Sequence, residues 1–125
     1  MGFEGYVLVV DDSVTNQVLI EALLGEEGIK TVAVSSTNDA IKQISKEPPR
    51  IIILDILMPN VTGIDLLKAI RQDEKSQAIP VIVVSAANAD LYQDQCQLLG
   101  VNDFFPKPIY IPALIKRVKA ILNGE

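Results

Sequence analysis

The chain has 125 residues, of which 49% are hydrophobic and 22% charged, and its formal net charge is −5. These values are typical of one folded domain, because the apolar content can offset chain entropy while the length is too short for two ordinary cores. The negative charge argues against direct binding of nucleic acid or an anionic membrane, which both need a positive surface. No apolar run is long enough to span a membrane and the first residues lack the basic region of a signal peptide, so we expect a single cytoplasmic domain over residues 1–125.

The residue inventory narrows the chemistry further. The chain contains no histidine, so imidazole is excluded as a metal ligand, a general base and a phosphate carrier. The one cysteine, Cys96, cannot form an internal disulfide and lies in a helical pattern, where we expect a small core residue rather than a reactive thiol. Any chemistry must therefore use carboxylates, hydroxyls, lysine or a bound metal.

Five short runs rich in Val and Ile predict strands. In chain order they cover residues 6–11, 29–34, 50–55, 79–85 and 101–105. The first, third and fourth runs are apolar almost throughout, which is typical of parallel strands that are covered on both faces.

A segment with helical spacing follows each predicted strand. The apolar positions that define these segments are Val14, Val18 and Ala22; Ala40, Ile41 and Ile44; Gly63, Leu66, Leu67 and Ile70; Ala89, Tyr92, Cys96 and Leu99; and Leu114, Ile115, Val118, Ile121 and Leu122. Start and stop signals agree with this assignment. They are Ser13 and Thr37 as N-caps, Gly28 and Gly100 as helix ends, and Pro112 in the first turn of a last helix over about 110–123.

Five alternations of strand and helix predict an α/β fold of the (βα)5 type, with helices on both faces of a doubly wound five-stranded parallel sheet. This is a three-layer, flavodoxin-like sandwich with the strand order 2-1-3-4-5. Its topological switch point lies between the first and third strands, and ligands bind there, beyond the carboxyl ends of the strands.

Three carboxylates meet at the predicted switch point. Asp11 and Asp12 end the first strand, and Asp55 ends the third. Crowded carboxylates repel one another unless a cation is present, and an all-oxygen set with room for water and phosphate oxygens favours Mg²⁺ over Ca²⁺. We therefore predict a metal site, in preference to the plainer interpretation in which Asp12 and Ser13 only cap a helix and Asp55 only ends a strand.

Two further polar residues follow the fourth and fifth strands. Ser85 closes the fourth strand, where its hydroxyl can donate to a phosphate oxygen and the small Ala86 beside it leaves room. Lys107 follows the fifth strand and precedes Pro108, which places an ammonium at the same edge of the sheet. Either residue alone would be read as an ordinary surface group, but their position at successive strand ends favours a shared site.

The blocks VLVVDDS, IIILDILMP, VIVVSA and FFPKP stand in order at these strand ends. Together they resemble the motif blocks of two-component response-regulator receiver domains, over essentially the whole chain. The resemblance implies that Asp55 is the phospho-acceptor and that Asp11, Asp12, Asp55 and the backbone carbonyl of Leu57 hold Mg²⁺, for which Mn²⁺ can substitute.

The same resemblance implies that Ser85 and Lys107 contact the phosphoryl group, and that the Lys107–Pro108 bond is often cis. The resemblance further implies that the phosphoryl donor is a phosphohistidine of a partner histidine kinase or histidine phosphotransfer protein. This chain has no histidine and cannot itself be the donor. The expected role is a signalling switch that assists its own phosphorylation and dephosphorylation, without a dedicated substrate to turn over.

Switching is expected to involve Ser85, drawn toward the phosphoryl group, and the aromatic residue three positions before the lysine, here Phe104. Without a phenolic hydroxyl, Phe104 can respond only through packing, and a static ring is the alternative. The face formed by the fourth helix, fifth strand and fifth helix is a candidate surface for a homodimer or an output partner, with Leu91 and Leu98 predicted to be exposed there.

Three positions depart from the commoner family pattern. Leu57 and Ala87 are apolar where side chains in the family influence access of water to the acyl phosphate, so we expect slow self-dephosphorylation. Thr62 replaces the commoner acidic residue before the loop glycine, which we do not expect to abolish the site.

Three alternatives remain open at the level of sequence. A phosphatase of the haloacid dehalogenase type would need an acid at Leu57, two residues after the nucleophile. A flavin-binding flavodoxin-like protein would need a hydroxyl- and glycine-rich loop where VVDDSVTN is anionic. A degenerate receiver that acts only as a phosphorylation-independent interaction module is the third, and the complete acidic set with Lys107 argues against it.

Overall fold

A computed structural model of the chain describes residues 4–58, 61–85 and 90–124. Its main sheet consists of five parallel strands, which are β1 (Val7–Val10), β2 (Thr31–Val34), β3 (Ile51–Asp55), β6 (Val81–Ser85) and β7 (Asp103–Pro106). A short antiparallel pair, β4 (Leu57–Met58) and β5 (Val61–Thr62), follows β3. The main sheet has the order β2-β1-β3-β6-β7, which confirms the predicted order 2-1-3-4-5 of its five strands.

In the described part of the chain, four helices connect the strands of the main sheet and a fifth follows β7. They are α1 (Val14–Glu26), α2 (Thr37–Lys46), α3 (Gly63–Gln72), α4 (Asp90–Leu98) and α5 (Ile111–Leu122). Side chains alternate between the two faces of a strand, so each strand of this sheet feeds two cores. Leu8 and Val10 of β1 pack in the cluster that includes residues of α2, α3 and α4, whereas Val7 and Val9 pack with α1 and α5.

The apolar stripe that indicated α1 in the sequence does not face the core. The sequence stripe Val14, Val18 and Ala22 is exposed, and the helix instead buries Ile20 and Leu24 against the sheet. The physical reason is that α1 carries apolar side chains nearly all round, so helical spacing alone does not select the side that meets the core.

The helix ends are close to the predicted positions, with one correction. Ser13 caps α1 by accepting a hydrogen bond from the backbone N–H of Asn16. The second cap is Ser36, which accepts from the N–H of Asp39, and not Thr37, which is the first residue of α2. Both are hydroxyl residues in adjacent positions, and the extended backbone of Ser36 decides which one caps the helix.

The predicted last helix over 110–123 is observed as α5, and Pro112 lies in its first turn. Among the residues described, no helix is long and apolar enough to cross a membrane.

Candidate functional site

The acidic residues are brought together by the parallel register of β1 and β3. Val10 pairs with Leu54, so Asp11 and Asp55 stand side by side at the carboxyl ends of the two strands. Asp11 is 1% exposed and Asp55 is 2% exposed, while Asp12 is an exposed residue. One carboxylate oxygen of each of the three lies within 4.8 Å of the other two, as the strand order predicted.

Lys107 supplies the positive charge of the site. Its Nζ donates to Oδ2 of Asp55 at 2.9 Å and to Oδ2 of Asp11 at 3.5 Å. Its backbone N–H donates to the carbonyl of Ser85 at 2.7 Å, which fixes the main chain of Lys107 beside the end of β6. The Lys107–Pro108 peptide bond is cis, as the resemblance implied.

Two opposing effects act on the pKa of Lys107. Burial lowers it, but the hydrogen bond and charge attraction from Asp55, together with the weaker contribution of Asp11, outweigh burial and raise the pKa above its ordinary value of 10.5. The lysine is therefore charged at neutral pH and forms ion pairs with Asp11 and Asp55.

Ser85 ends β6 beside these groups. Its side chain is fully buried, and within the described part of the chain its Oγ has no hydrogen-bond partner. Buried hydroxyls are nearly always paired, so an orphaned one at a site edge indicates a place for an external acceptor. Ala86 and Ala87, which the sequence analysis placed next to it, lie outside the described residues.

The backbone after Asp55 is closely covered by the start of α3. A Cβ on Gly63 would lie 2.8 Å from the carbonyl oxygen of Asp55 and 3.0 Å from Cα of Ile56, so only glycine fits without a shift of the backbone. The N–H of Gly63 also donates to the carbonyl of Ile56 at 2.7 Å. This packing fixes the main chain that carries the Asp55 carboxylate.

Sequence reasoning missed two amide residues of α1 that support Asp11. Asn16 donates from Nδ2 to Oδ2 of Asp11 at 3.3 Å, and Gln17 donates from Nε2 to the backbone carbonyl of Asp11. Gln17 also donates to the carbonyl of Val34 at 3.2 Å and to Oγ of Ser35 at 3.0 Å. The sequence indicated only that both residues lie in the first turn of a helix capped at Ser13, close to the end of β1.

The remaining predicted residues have varied positions. Leu57 begins β4, two residues after Asp55. Phe104 is partly buried and packs against the cluster that contains residues of α2, α3 and α4. Leu98 is 87% exposed, as predicted, whereas the side chain of Leu91 lies outside the described residues.

The charges and ligand atoms of this site suit a divalent cation. Three carboxylates face one ammonium, which leaves an excess of negative charge in a cleft where two of the acids are buried. The available ligand atoms are oxygens, which prefer a hard ion such as Mg²⁺ or Mn²⁺. The residues present therefore fit the predicted metal, and Asp11, Asp12 and Asp55 are the side chains that would hold it.

The sequence of this chain matches a known protein family and several known proteins. The response regulator receiver domain family matches residues 7–119. The chain is 38% identical to the two-component response regulator ORR7 of rice over 90% of its own length and 54% of the rice protein, so it spans about half of that relative. It is 28% identical to the protein PilH of Pseudomonas aeruginosa over 94% of this chain and 98% of PilH.

A solved structure gives the same result for the fold. The response regulator receiver protein of Pseudomonas putida is 28% identical to this chain, and the two superpose with a TM-score of 0.87 over 100% of both chains.

Proposed function

Because the chain belongs to the response regulator receiver domain family, whose role is two-component phosphorelay signalling, we propose that it accepts a phosphoryl group onto Asp55 from a phosphohistidine of a partner histidine kinase or phosphotransfer protein. The observation that carries the proposal is the buried Asp55 carboxylate, 2.9 Å from the Lys107 ammonium and within 4.8 Å of two further carboxylates. The phosphoryl-accepting group and its charge-balancing groups thus share one cleft.

The transfer step is a single displacement at phosphorus. An oxygen of the Asp55 carboxylate attacks, a P–O bond forms, and the P–N bond to the donor imidazole breaks, with the bonding electrons leaving on the ring nitrogen. Catalysis of such a step depends on in-line positioning and on neutralising the oxygens of the phosphoryl group. Lys107 can turn from Asp55 to these oxygens, and the buried hydroxyl of Ser85 can donate to one of them.

A divalent cation, when bound, would neutralise charge on the acidic cluster and on the incoming phosphoryl oxygens. Asp11, Asp12 and Asp55 would hold it, with the backbone carbonyl of Leu57 as a further ligand implied by the family. The same excess of negative charge that needs the cation also disfavours approach of a phosphate group in its absence.

Switching follows from the change at Asp55. The new phosphoryl group adds about −1.5 to −2 of charge and strong acceptor oxygens. One of these oxygens can accept a hydrogen bond from Oγ of Ser85, which has no partner within the described part of the chain. Phe104 pairs with Val83, two residues before Ser85, across the register of β6 and β7. Movement at the end of β6 is therefore next to the ring, which would repack and change the face of α4, β7 and α5.

The decisive experiment uses a small phosphodonor such as acetyl phosphate, with intact mass as the readout. The unmutated chain should gain one phosphoryl group in Mg²⁺ and none in EDTA. Asp55→Asn should gain none, and the exposed control Asp39→Asn should behave like the unmutated chain. If the unmutated chain gains no Mg²⁺-dependent adduct, a degenerate interaction module is favoured. If the adduct persists in Asp55→Asn, a residue other than Asp55 is phosphorylated.

The proposal also treats the chain as a switch and not as an enzyme with a substrate to turn over. Sustained release of phosphate from excess small phosphate esters would contradict this and would support a phosphatase.

A further inference from the structure

We propose that Asn16 is a positioning residue of the cation site, because its side-chain amide holds the Asp11 carboxylate in the orientation that binds the metal. The inference rests on the proposed function and adds to it a residue outside the set of expected ligands and phosphoryl contacts.

Both carboxylate oxygens of Asp11 accept hydrogen bonds. Oδ1 of Asp11 accepts from the backbone N–H of Ser13 at 2.8 Å. Oδ2 accepts from Nδ2 of Asn16 at 3.3 Å and from Nζ of Lys107 at 3.5 Å. With donors on both oxygens, the carboxylate plane is fixed. Oδ1, which accepts one hydrogen bond, keeps a lone-pair site for a metal.

The two donors to Oδ2 of Asp11 differ in charge. The amide of Asn16 is neutral, so it orients the carboxylate without cancelling the negative charge that attracts the cation. The ammonium of Lys107 orients the same oxygen but opposes a cation next to it. While Asn16 occupies Oδ2, Lys107 lies closer to Asp55 (2.9 Å) than to Asp11 (3.5 Å), which leaves Asp11 to the metal.

The role of Asn16 in holding α1 can be separated from this one. The backbone N–H of Asn16 is capped by Oγ of Ser13, and the side chain takes no part in that bond. Substitution of the side chain therefore removes the contact to Asp11 and leaves the helix cap in place. Partners of this kind, which hydrogen-bond a metal-ligating carboxylate, change metal affinity by about 10- to 100-fold when they are removed.

The test measures cation affinity directly, without phosphorylation. Free Mn²⁺ is followed by electron paramagnetic resonance during titration, and Mg²⁺ affinity is obtained by competition. Asn16→Ala should lower the affinity for both ions by about 10-fold. Asn38→Ala, at an exposed asparagine of α2, should leave both affinities unchanged. Unfolding in EDTA should be similar for both variants and the unmutated chain.

A second readout separates positioning from a merely structural role. With acetyl phosphate, Asn16→Ala should need about 10-fold more Mg²⁺ for half-maximal phosphorylation, and its maximal rate at saturating Mg²⁺ should stay within about twofold. Unchanged cation affinity in Asn16→Ala would overturn the inference while leaving the proposed function standing. Absence of cation binding by the unmutated chain would instead contradict the proposed function.

Discussion

Removal of the lysine from the acidic cluster is the sharpest test of the site's electrostatics. Lys107→Met keeps the length and apolar stem of the side chain but deletes the ammonium that lies 2.9 Å from Asp55 and 3.5 Å from Asp11. Breaking a fully buried ion pair costs about 3–5 kcal/mol. Because the Lys107 side chain is 23% exposed, solvent compensates part of this loss, and we expect the free energy of unfolding to fall by about 2–3 kcal/mol in EDTA at neutral pH.

A double-mutant cycle isolates the pair from other effects of the substitution. Lys107→Met should cost less in the background of Asp55→Asn, where one of the two buried carboxylates is already neutral, so the coupling energy should be about 1–2 kcal/mol. Urea unfolding followed by circular dichroism gives all four free energies. A coupling below about 0.5 kcal/mol, the range of exposed ion pairs, would refute the view that this lysine balances a buried charge.

Mg²⁺ and alkaline pH should each reduce the difference in stability between Lys107→Met and the unmutated chain. Millimolar Mg²⁺ should recover part of the lost stability, because a ligand of the native state adds RT ln(1 + [L]/Kd). The pKa of Lys107 is raised in the folded state above 10.5, so the lysine's contribution is complete below about pH 10.5 and is lost as pH rises through the folded value. Lys107→Met should lack this alkaline loss.

Three further predictions concern other parts of the chain. Cys96 is fully buried and its pKa is raised to about 11 by burial, so at pH 8 a thiol reagent should modify it only as fast as the protein opens; fast modification of the native state would contradict its burial. Arg71 donates to the carbonyls of Gln77, Ile79, Leu99 and Gly100, so Arg71→Met should lower the free energy of unfolding by about 2 kcal/mol, against almost no change for the exposed control Lys68→Met; equal effects would refute this. Phosphorylated Asp55 should persist for minutes or longer when the phosphodonor is removed, since Leu57 and Ala87 cannot orient a water by hydrogen bonding; a lifetime of seconds by intact mass would overturn that reasoning.

The acidic site was predictable from sequence because parallel topology converts strand ends into neighbours. Once β1 and β3 are recognised as adjacent strands, Asp11 and Asp55 must meet at the same edge of the sheet. Ser85 and Lys107 follow from the same rule applied to β6 and β7. No knowledge of side-chain packing is needed to place these residues at one edge of the sheet.

The contacts that tune the site were not predictable in the same way. Asn16 and Gln17 reach Asp11 from a helix, and whether they do so depends on how α1 is rotated about its axis. That rotation is set by packing against the sheet, and the sequence of α1 offers apolar side chains on several sides. The stripe of Val14 and Val18 correctly indicated a helix, but for the same reason it did not show which side of that helix meets the core.

The rotation of α1 can be tested by comparing its two apolar stripes. Val18 is 59% exposed and Ile20 is 2% exposed, although the two residues are separated by only one position. Ile20→Ala should cost about 2–5 kcal/mol, because it leaves a cavity in the core under the sheet. Val18→Ala should change stability by no more than about 0.5 kcal/mol, since an exposed site loses little burial and alanine favours helix. Urea unfolding would give the reverse order if the sequence stripe faced the core.

The exposed face of α1 carries apolar side chains close to the acidic residues. Val14 is 65% exposed and follows Asp12 by two residues, so the exposed stripe begins at the mouth of the acidic cleft. Under the proposed function, a protein that delivers a phosphoryl group to Asp55, which is 2% exposed, would contact the rim of that cleft. Exposed apolar side chains commonly mark such contact surfaces. If Val18→Ala proves neutral for folding, this valine contributes little to stability, and under the proposed function a contact with the phosphodonor protein would account for an apolar side chain at this rim.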